Sequence, residues 1–402
     1  MGRSAPTDTV QALPATRLAM VLALAVAAHA IYWTVRPPDM HLFLEPWLAH
    51  IVRFGLFGAF AHPFSNYEPA YLYLMAAASL AHGWLTPMAI IKALSVAGSL
   101  FLTWAVADLL KTMGSSPRLS VFTLVLPTAV INAALLGQCD ALWAGSCVFA
   151  LGAMMRGQTV QSLAWCGLAI AFKSQAAFIA PVIIGAIIGR RAPLWQWLVP
   201  PTVFLATLLP AWALGWPMTK LLTVYPEQAA WVHIPGKLGN PWMVATIFAN
   251  HASRPFFLVG YIAAAAAALA IGALASTSFD NRRKLLLLAL LSATVLPFLL
   301  PKMLERYYFL GDVLALVLTM SFQTRRAAAI AVAVQGASLV SLLTYIYWFT
   351  WPYPALLGIP LAGFAIASAA DMLRQEGARW LLPRLSSRPG RLRLPSDART
   401  TA

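Results

Sequence analysis

Charge is scarce in this sequence. Of its 402 residues only 10% are Asp, Glu, Lys or Arg, against roughly 25% in a soluble protein. With 60% of the residues hydrophobic, too few charges exist to build a water-facing shell over so large a core. A soluble globular enzyme, a disordered chain and a nucleic-acid binder are thereby excluded. Acidic residues are the scarcer sign, 13 against 28 basic ones. The net charge of +15 points first to the positive-inside rule and to anionic lipid. Cysteine is almost absent too. Cys139, Cys147 and Cys166 offer neither a paired framework nor a metal spacing. They lie in or beside apolar runs and are expected to be small core residues. No internal repeat is evident, nor the paired interrupted segments of an inverted-repeat transporter.

What the chain has is apolar runs. A membrane span needs about 20 apolar residues, and about twelve segments are candidates. They are residues 17–35, 87–111, 119–136, 140–156, 162–173, 174–189, 194–213, 256–275, 284–300, 307–322, 327–349 and 354–372. Segments 162–173 and 174–189 are short and meet at Lys173, Ser174 and Gln175. The expected architecture is an all-α polytopic membrane bundle of about 12 helices over residues 1–372. A basic tail at 373–402, rich in Pro, Ser and Arg towards its end, is expected to be disordered and to lie against anionic lipid. The apolar N-terminal run, with Arg17 before it, is expected to be retained as a span and not cleaved as a signal peptide.

Orientation follows from Lys and Arg. The N-terminus, the short loops with Lys111/Arg118, Arg156, Arg190/Arg191, Arg282/Arg283/Lys284 and Arg325/Arg326, and the tail hold 19 of the 28 basic residues and 6 of the 13 acidic ones. That bias puts both termini in the cytoplasm. Residues 69–83 would invert every later basic loop if they crossed. They are therefore expected to lie in or dip into the outer interface, with Tyr71 and Tyr73 at that depth. The long outer loops are then about 36–86 and 214–255.

Ionisable groups near apolar segments are costly and mark function. Asp39 follows Arg36-Pro37-Pro38, where two prolines end the first span. From Met40 to Phe54, a stripe of Phe43, Trp47, Ile51 and Phe54 suggests an interfacial helix that pins Asp39 at the membrane–water boundary. Asp39 reads equally as a helix N-cap. Asn132, Gln138 and Asp140 share a turn that Gly137 allows, and Asp140 is expected to face the outer water, a cap being the alternative. Lys173 with Gln175, and Lys302, Glu305 and Arg306 with Tyr307, supply outer cationic sites suited to a lipid-linked phosphate. Snorkelling would also explain Lys173, and internal salt bridges would explain Glu305 and Arg306. His41 and Glu45, one helical turn apart, form only a weak metal pair.

In order, the chain carries Asp39-Met40…Phe43-Leu44…Pro46-Trp47, then Pro63-Phe64-Ser65-Asn66-Tyr67…Pro69…Tyr71-Leu72-Tyr73. There follow Leu126-Pro127…Asn132…Gly137-Gln138-Cys139-Asp140, Ala171-Phe172-Lys173…Gln175 and Pro301-Lys302-Met303…Glu305-Arg306-Tyr307-Tyr308-Phe309. This ordered set resembles the GT-C superfamily of membrane glycosyltransferases, and within it the bacterial group related to glycosylphosphatidylinositol mannosyltransferase II. It covers about residues 17–372. Glu68 and Ala70 stand where that group usually has proline or a small polar residue, and Leu304 where it has histidine. Both departures bear on the acceptor pocket.

The resemblance implies transfer of a hexose such as mannose from a polyprenyl-phosphate donor, with inversion, on the outer face of a bacterial inner membrane. It assigns the base to Asp39 and a second acidic site to Asp140. Gln138, Asn132, Asn66, Tyr67 and Glu68 would attend the acceptor. Arg306, Lys302, Lys173 and Gln175 would bind the donor phosphate, supported by Glu305, Tyr307 and His41. A glycan, lipid or protein could serve as acceptor, with membrane lipids around it and no nucleic acid. No cofactor is required, although the related oligosaccharyltransferases hold a divalent ion at an acidic pair. The alternatives are a multi-pass transporter or lipid flippase, a non-catalytic subunit of a glycan-assembly complex, and an enzyme moving a phospholipid-derived group.

Overall fold

The computed structural model describes residues 13–231, 237–249, 254–347 and 351–386, all helical or connecting, with no strand among them. The first helices are α1 (Ala15–Ile31), α2 (Glu45–Gly58), α3 (Pro69–Ser79), α4 (Pro87–Thr112), α5 (Pro127–Val130) and α6 (Asp140–Met155). Next are α7 (Thr159–Phe172), α8 (Ala180–Gly189), α9 (Val199–Ala213), α10 (Met218–Trp231) and α11 (Pro241–Ala249). Last come α12 (Arg254–Ser276), α13 (Arg282–Leu299), α14 (Phe309–Phe322), α15 (Arg325–Tyr347) and α16 (Gly358–Ser386). Short tight turns lead into several of them, among them Ser174–Ile179 before α8.

Each apolar segment expected to cross is helical, but the helices differ in reach. Among the described residues five are long and apolar enough to cross a membrane: Pro87–Thr112, Leu194–Ala213, Phe257–Ser276, Arg325–Tyr347 and Tyr353–Ala378. A sixth would need Pro117–Val125 and Pro127–Leu135 to act as one span, though they meet at 59°. Proline explains the break, because it drives the preceding Leu126 into an extended conformation. Shorter apolar helices, α6 and α14 among them, lie inside the bundle.

The core is built on α6, every residue of which is buried. Its sequence has no charge between Asp140 and Arg156 and is rich in Ala and Gly, so it can be enclosed on all sides. Helices α4 and α7 flank it, α13 and α14 pack beside it, and α15 and α16 cover α13 and α14. Helix α12 lies so close on α8 that a Cβ at Gly185 or Gly189 would strike the α12 backbone at Gly272 or Ser276. That is small-residue packing at a spacing of four.

The basic loops share one end of the bundle. Arg156 reaches Asp108 at 2.6 Å, Arg282 the Thr112 carbonyl at 2.7 Å and Arg190 the carbonyls of Met154 and Phe279 at 3.2 and 3.3 Å. Arg283 pairs with Glu376, Arg326 with Asp371, and Arg118 meets the Leu13 carbonyl before α1. The opposite end carries Asp39, Asp140 and Lys173 at the far termini of the same helices.

Three local expectations need correcting. The buried stripe after Asp39 is Met40, Leu44, Trp47, Leu48 and Ile51, while Phe54 is exposed. Spacings of four, three, one and three follow a helix face more closely than the aromatic positions do. Helix α3 is only eleven residues long, ending at Ser79, and Tyr71 is fully buried in it. Finally, α16 continues past residue 372 to Ser386, so the first part of the expected disordered tail is helical. Residues 387–402 lie outside the described ones, as do 232–236 and 250–253 of the expected second outer loop.

Candidate functional site

Two prolines end the chain's run out of α1, and Asp39 comes next at the start of the wide turn Met40–Leu44. Its carboxylate makes no cap hydrogen bond. Oδ2 accepts from Arg306 Nη1 and Gln138 Nε2, both at 3.1 Å, and Oδ1 accepts from the Tyr345 hydroxyl at 2.6 Å. A capping role is therefore excluded.

Asp140 opens α6, and its oxygens are equally committed to side chains. Oδ1 accepts from Lys173 Nζ at 2.5 Å and Trp143 Nε1 at 3.0 Å, and Oδ2 from Asn132 Nδ2 at 2.9 Å. Arg306 Nε stands 3.7 Å from Oδ2. One guanidinium thus joins Asp39 to Asp140, and it also lies 3.4 Å from Glu305. Gln138 closes the ring, its Oε1 accepting from the Tyr67 hydroxyl at 3.0 Å and from Lys173 at 3.5 Å.

The two acids differ in access. The Asp39 side chain is 16% exposed and that of Asp140 only 3%. Asp140 therefore does not face water, contrary to expectation; it is buried with Lys173 and Arg306. Asn132 is buried with it. Neither lines the cavity that opens beside Asp39, so their contacts position bases and do not reach a ligand.

That cavity has a volume of about 770 Å³. Asp39, Lys173, Gln175, Lys302, Arg306 and Tyr307 line it, as do Asn66, Tyr67, Glu68 and Gln138. A second cavity of about 450 Å³ adjoins it across Phe43, Trp47, Asn66 and Gln228. His41 is exposed outside both, and the Glu45 carboxylate is taken by Arg36. Among the described residues, no three His, Cys, Asp or Glu side chains group to hold a metal.

Electrostatics separate the acids further. Burial works to raise the Asp39 carboxyl, but Arg306 and the Tyr345 hydroxyl outweigh it and hold it below its usual range. Burial also works to lower Arg306, but Asp39, Glu305 and Asp140 outweigh it and keep it protonated. Glu305 is pushed up by burial in spite of Arg306. Burial alone pushes Glu68 up to about 8.

Several contributors carry no motif. Tyr345 reaches Asp39 from α15, and its only sequence signal is its place near an outer helix end. Lys92, fully buried near the start of α4, donates to the carbonyls of Tyr32, Trp33 and Val35 at 2.6, 3.0 and 2.6 Å. It holds the chain between α1 and Asp39. A lone lysine in an apolar run is a signal that finds it. The same rule finds Asp312, buried in α14 near Thr128, Gln335 and Ser338 of neighbouring helices.

Trp47, Tyr67 and Lys173 make the aromatic floor. The Trp47 and Tyr67 rings are 4.9 Å apart and the Lys173 ammonium sits 5.0 Å over Tyr67. Searches of protein-family models and of curated proteins found no match to the chain.

Proposed function

We propose that the protein is a GT-C-type glycosyltransferase of a bacterial inner membrane. It crosses that membrane about twelve times, has both termini in the cytoplasm, and moves a hexose from a polyprenyl-phosphate donor to an acceptor hydroxyl on the outer face. The observation that carries this reading is the convergence of Asp39, Arg306, Lys173 and Gln138 on a cavity of about 770 Å³, at the end of the bundle opposite the basic loops. Residues from 39 to 345 meet there, which a mere run of apolar helices does not require.

Asp39 is the base. Tyr345 occupies one lone pair of Oδ1 and leaves another to take a substrate proton. The acceptor oxygen attacks the anomeric carbon as its proton passes to Asp39. The bond from that carbon to the phosphate oxygen breaks, its electron pair leaves with the polyprenyl phosphate, and the configuration inverts. The departing charge needs a cation. Arg306 and Lys173 already balance Asp39 and Asp140. Lys302 lines the same cavity and makes no ion pair among the described residues, so its charge is the one available to the phosphate. Its backbone is left-handed at φ 60°, strain consistent with a functional position.

A divalent ion does not suit this donor set. The acidic pair Asp39 and Asp140 is already bonded to cations, and a dication there would have to displace Arg306 and Lys173. The test is purified protein in liposomes with a panel of polyprenyl-phosphate sugars. Release of polyprenyl phosphate is expected from the native protein and not from Asp39→Asn; near-normal turnover by that variant sinks the assignment of the base.

A further inference from the structure

Glu68 is the one acid of the cavity wall that the reaction above does not use and no cation answers. It precedes α3, yet its carboxyl makes no cap hydrogen bond. The residue is 1% exposed, and Oε2 is buried without a hydrogen-bond partner. It borders the same cavity as Asp39. A buried, unpartnered carboxyl is costly to keep unless something else meets it.

The wall around it narrows what that could be. Burial keeps the group protonated at neutral pH, with its titration near 8. A neutral carboxyl both donates and accepts, as a hydroxyl does, whereas a phosphate only accepts and is better served by Lys302. Trp47 and Tyr67 line the cavity with aromatic side chains, and Asn66 and Gln228 add amides. Aromatic faces with amides and a neutral acid suit a sugar ring.

We propose that Glu68 hydrogen-bonds a ring hydroxyl of the sugar held in the main cavity, making it a specificity residue separate from the phosphate and proton-transfer groups. This rests on the glycosyltransferase reading. The sugar could belong to the donor or to the acceptor, and the two sources share this chemistry.

Binding of undecaprenyl-phosphate mannose, undecaprenyl-phosphate glucose and bare undecaprenyl phosphate is measured for the native protein in nanodiscs, without turnover. Glu68→Ala is expected to weaken at least one sugar-bearing lipid by about five- to a hundredfold and to leave the bare lipid unchanged. Glu68→Gln, which keeps a donor and an acceptor, is expected to retain most of the affinity. Unchanged affinity for all three lipids moves the question to the acceptor. A thermal-shift panel of free hexoses then decides: a shift lost only in Glu68→Ala supports an acceptor sugar, and no shift overturns the proposal. An equal loss for bare and sugar-bearing lipid makes Glu68 a packing residue and also overturns it. Failure of every lipid to bind the native protein defeats the glycosyltransferase reading instead, and the hexose panel still decides on Glu68.

Discussion

Lys92→Met tests how the fold presents Asp39. The three carbonyls that Lys92 serves follow the end of α1. Methionine keeps the length and apolar bulk of the side chain but offers no proton. Each charge-assisted hydrogen bond is worth about 1.5–3 kcal/mol, so the gross loss is about 4–9 kcal/mol. Removing the ammonium also removes its own desolvation penalty, several kcal/mol, and the net loss is about 3 kcal/mol. An unfolding entropy of about 2.1 cal/mol/K per residue over 402 residues converts this to a fall of about 4 °C in the unfolding midpoint. The protein contains its own reporters, because Cys139, Cys147 and Cys166 are buried free thiols. A thiol-reactive fluorophore added in detergent reads their exposure as the temperature rises. The exposed Lys111→Met is the control and should stay within about 0.5 kcal/mol of the native protein. A Lys92→Met midpoint within about 1 °C of native would refute the role.

Arg306→Ala leaves Asp39 and Asp140 without their shared cation. A loss of about 3–5 kcal/mol is expected, with weakened transfer, in the same thiol assay; an unchanged midpoint would show that the bridge contributes nothing. Gly137→Ala should be destabilised by more than about 1 kcal/mol in that assay. Its φ is 66°, and the added Cβ would fall 2.5 Å from Met40 Cε, beside Asp39. Glu68 binds a proton in the folded state that the unfolded chain releases above its ordinary value of 4.5. Stability should therefore fall as pH rises from about 4.5 to about 8 and level off above. Thermal scans of Glu68→Gln across that window should lose this slope, and an undiminished slope would assign it to another group.

Helix positions were legible because an apolar run has little alternative to helix in this composition. The rejection of 69–83 as a span rested on loop charge, and the segment forms a helix of eleven residues. Asp39, Gln138, Asp140, Lys173 and Arg306 stood out as ionisable or polar groups at helix ends, and they do meet. Their division of labour was not legible. Asp140 and Asp39 look alike in the chain, and only the depth of α6 makes one a buried anchor and the other accessible. Tyr345 offered no charge to notice. The aromatic stripe misled at Phe54 because a large side chain on a surface helix can face outward as well as inward.

The bridge between Asp39 and Asp140 also imposes an order on synthesis. Asp140 and Lys173 are 33 residues apart and can pair while the chain is still being made. Arg306 joins Asp39 across 267 residues, and Tyr345 across 306. Any product that stops short of α15 therefore carries the early pair and the cavity's first wall but never a finished constellation. The ribosome completes the constellation almost last.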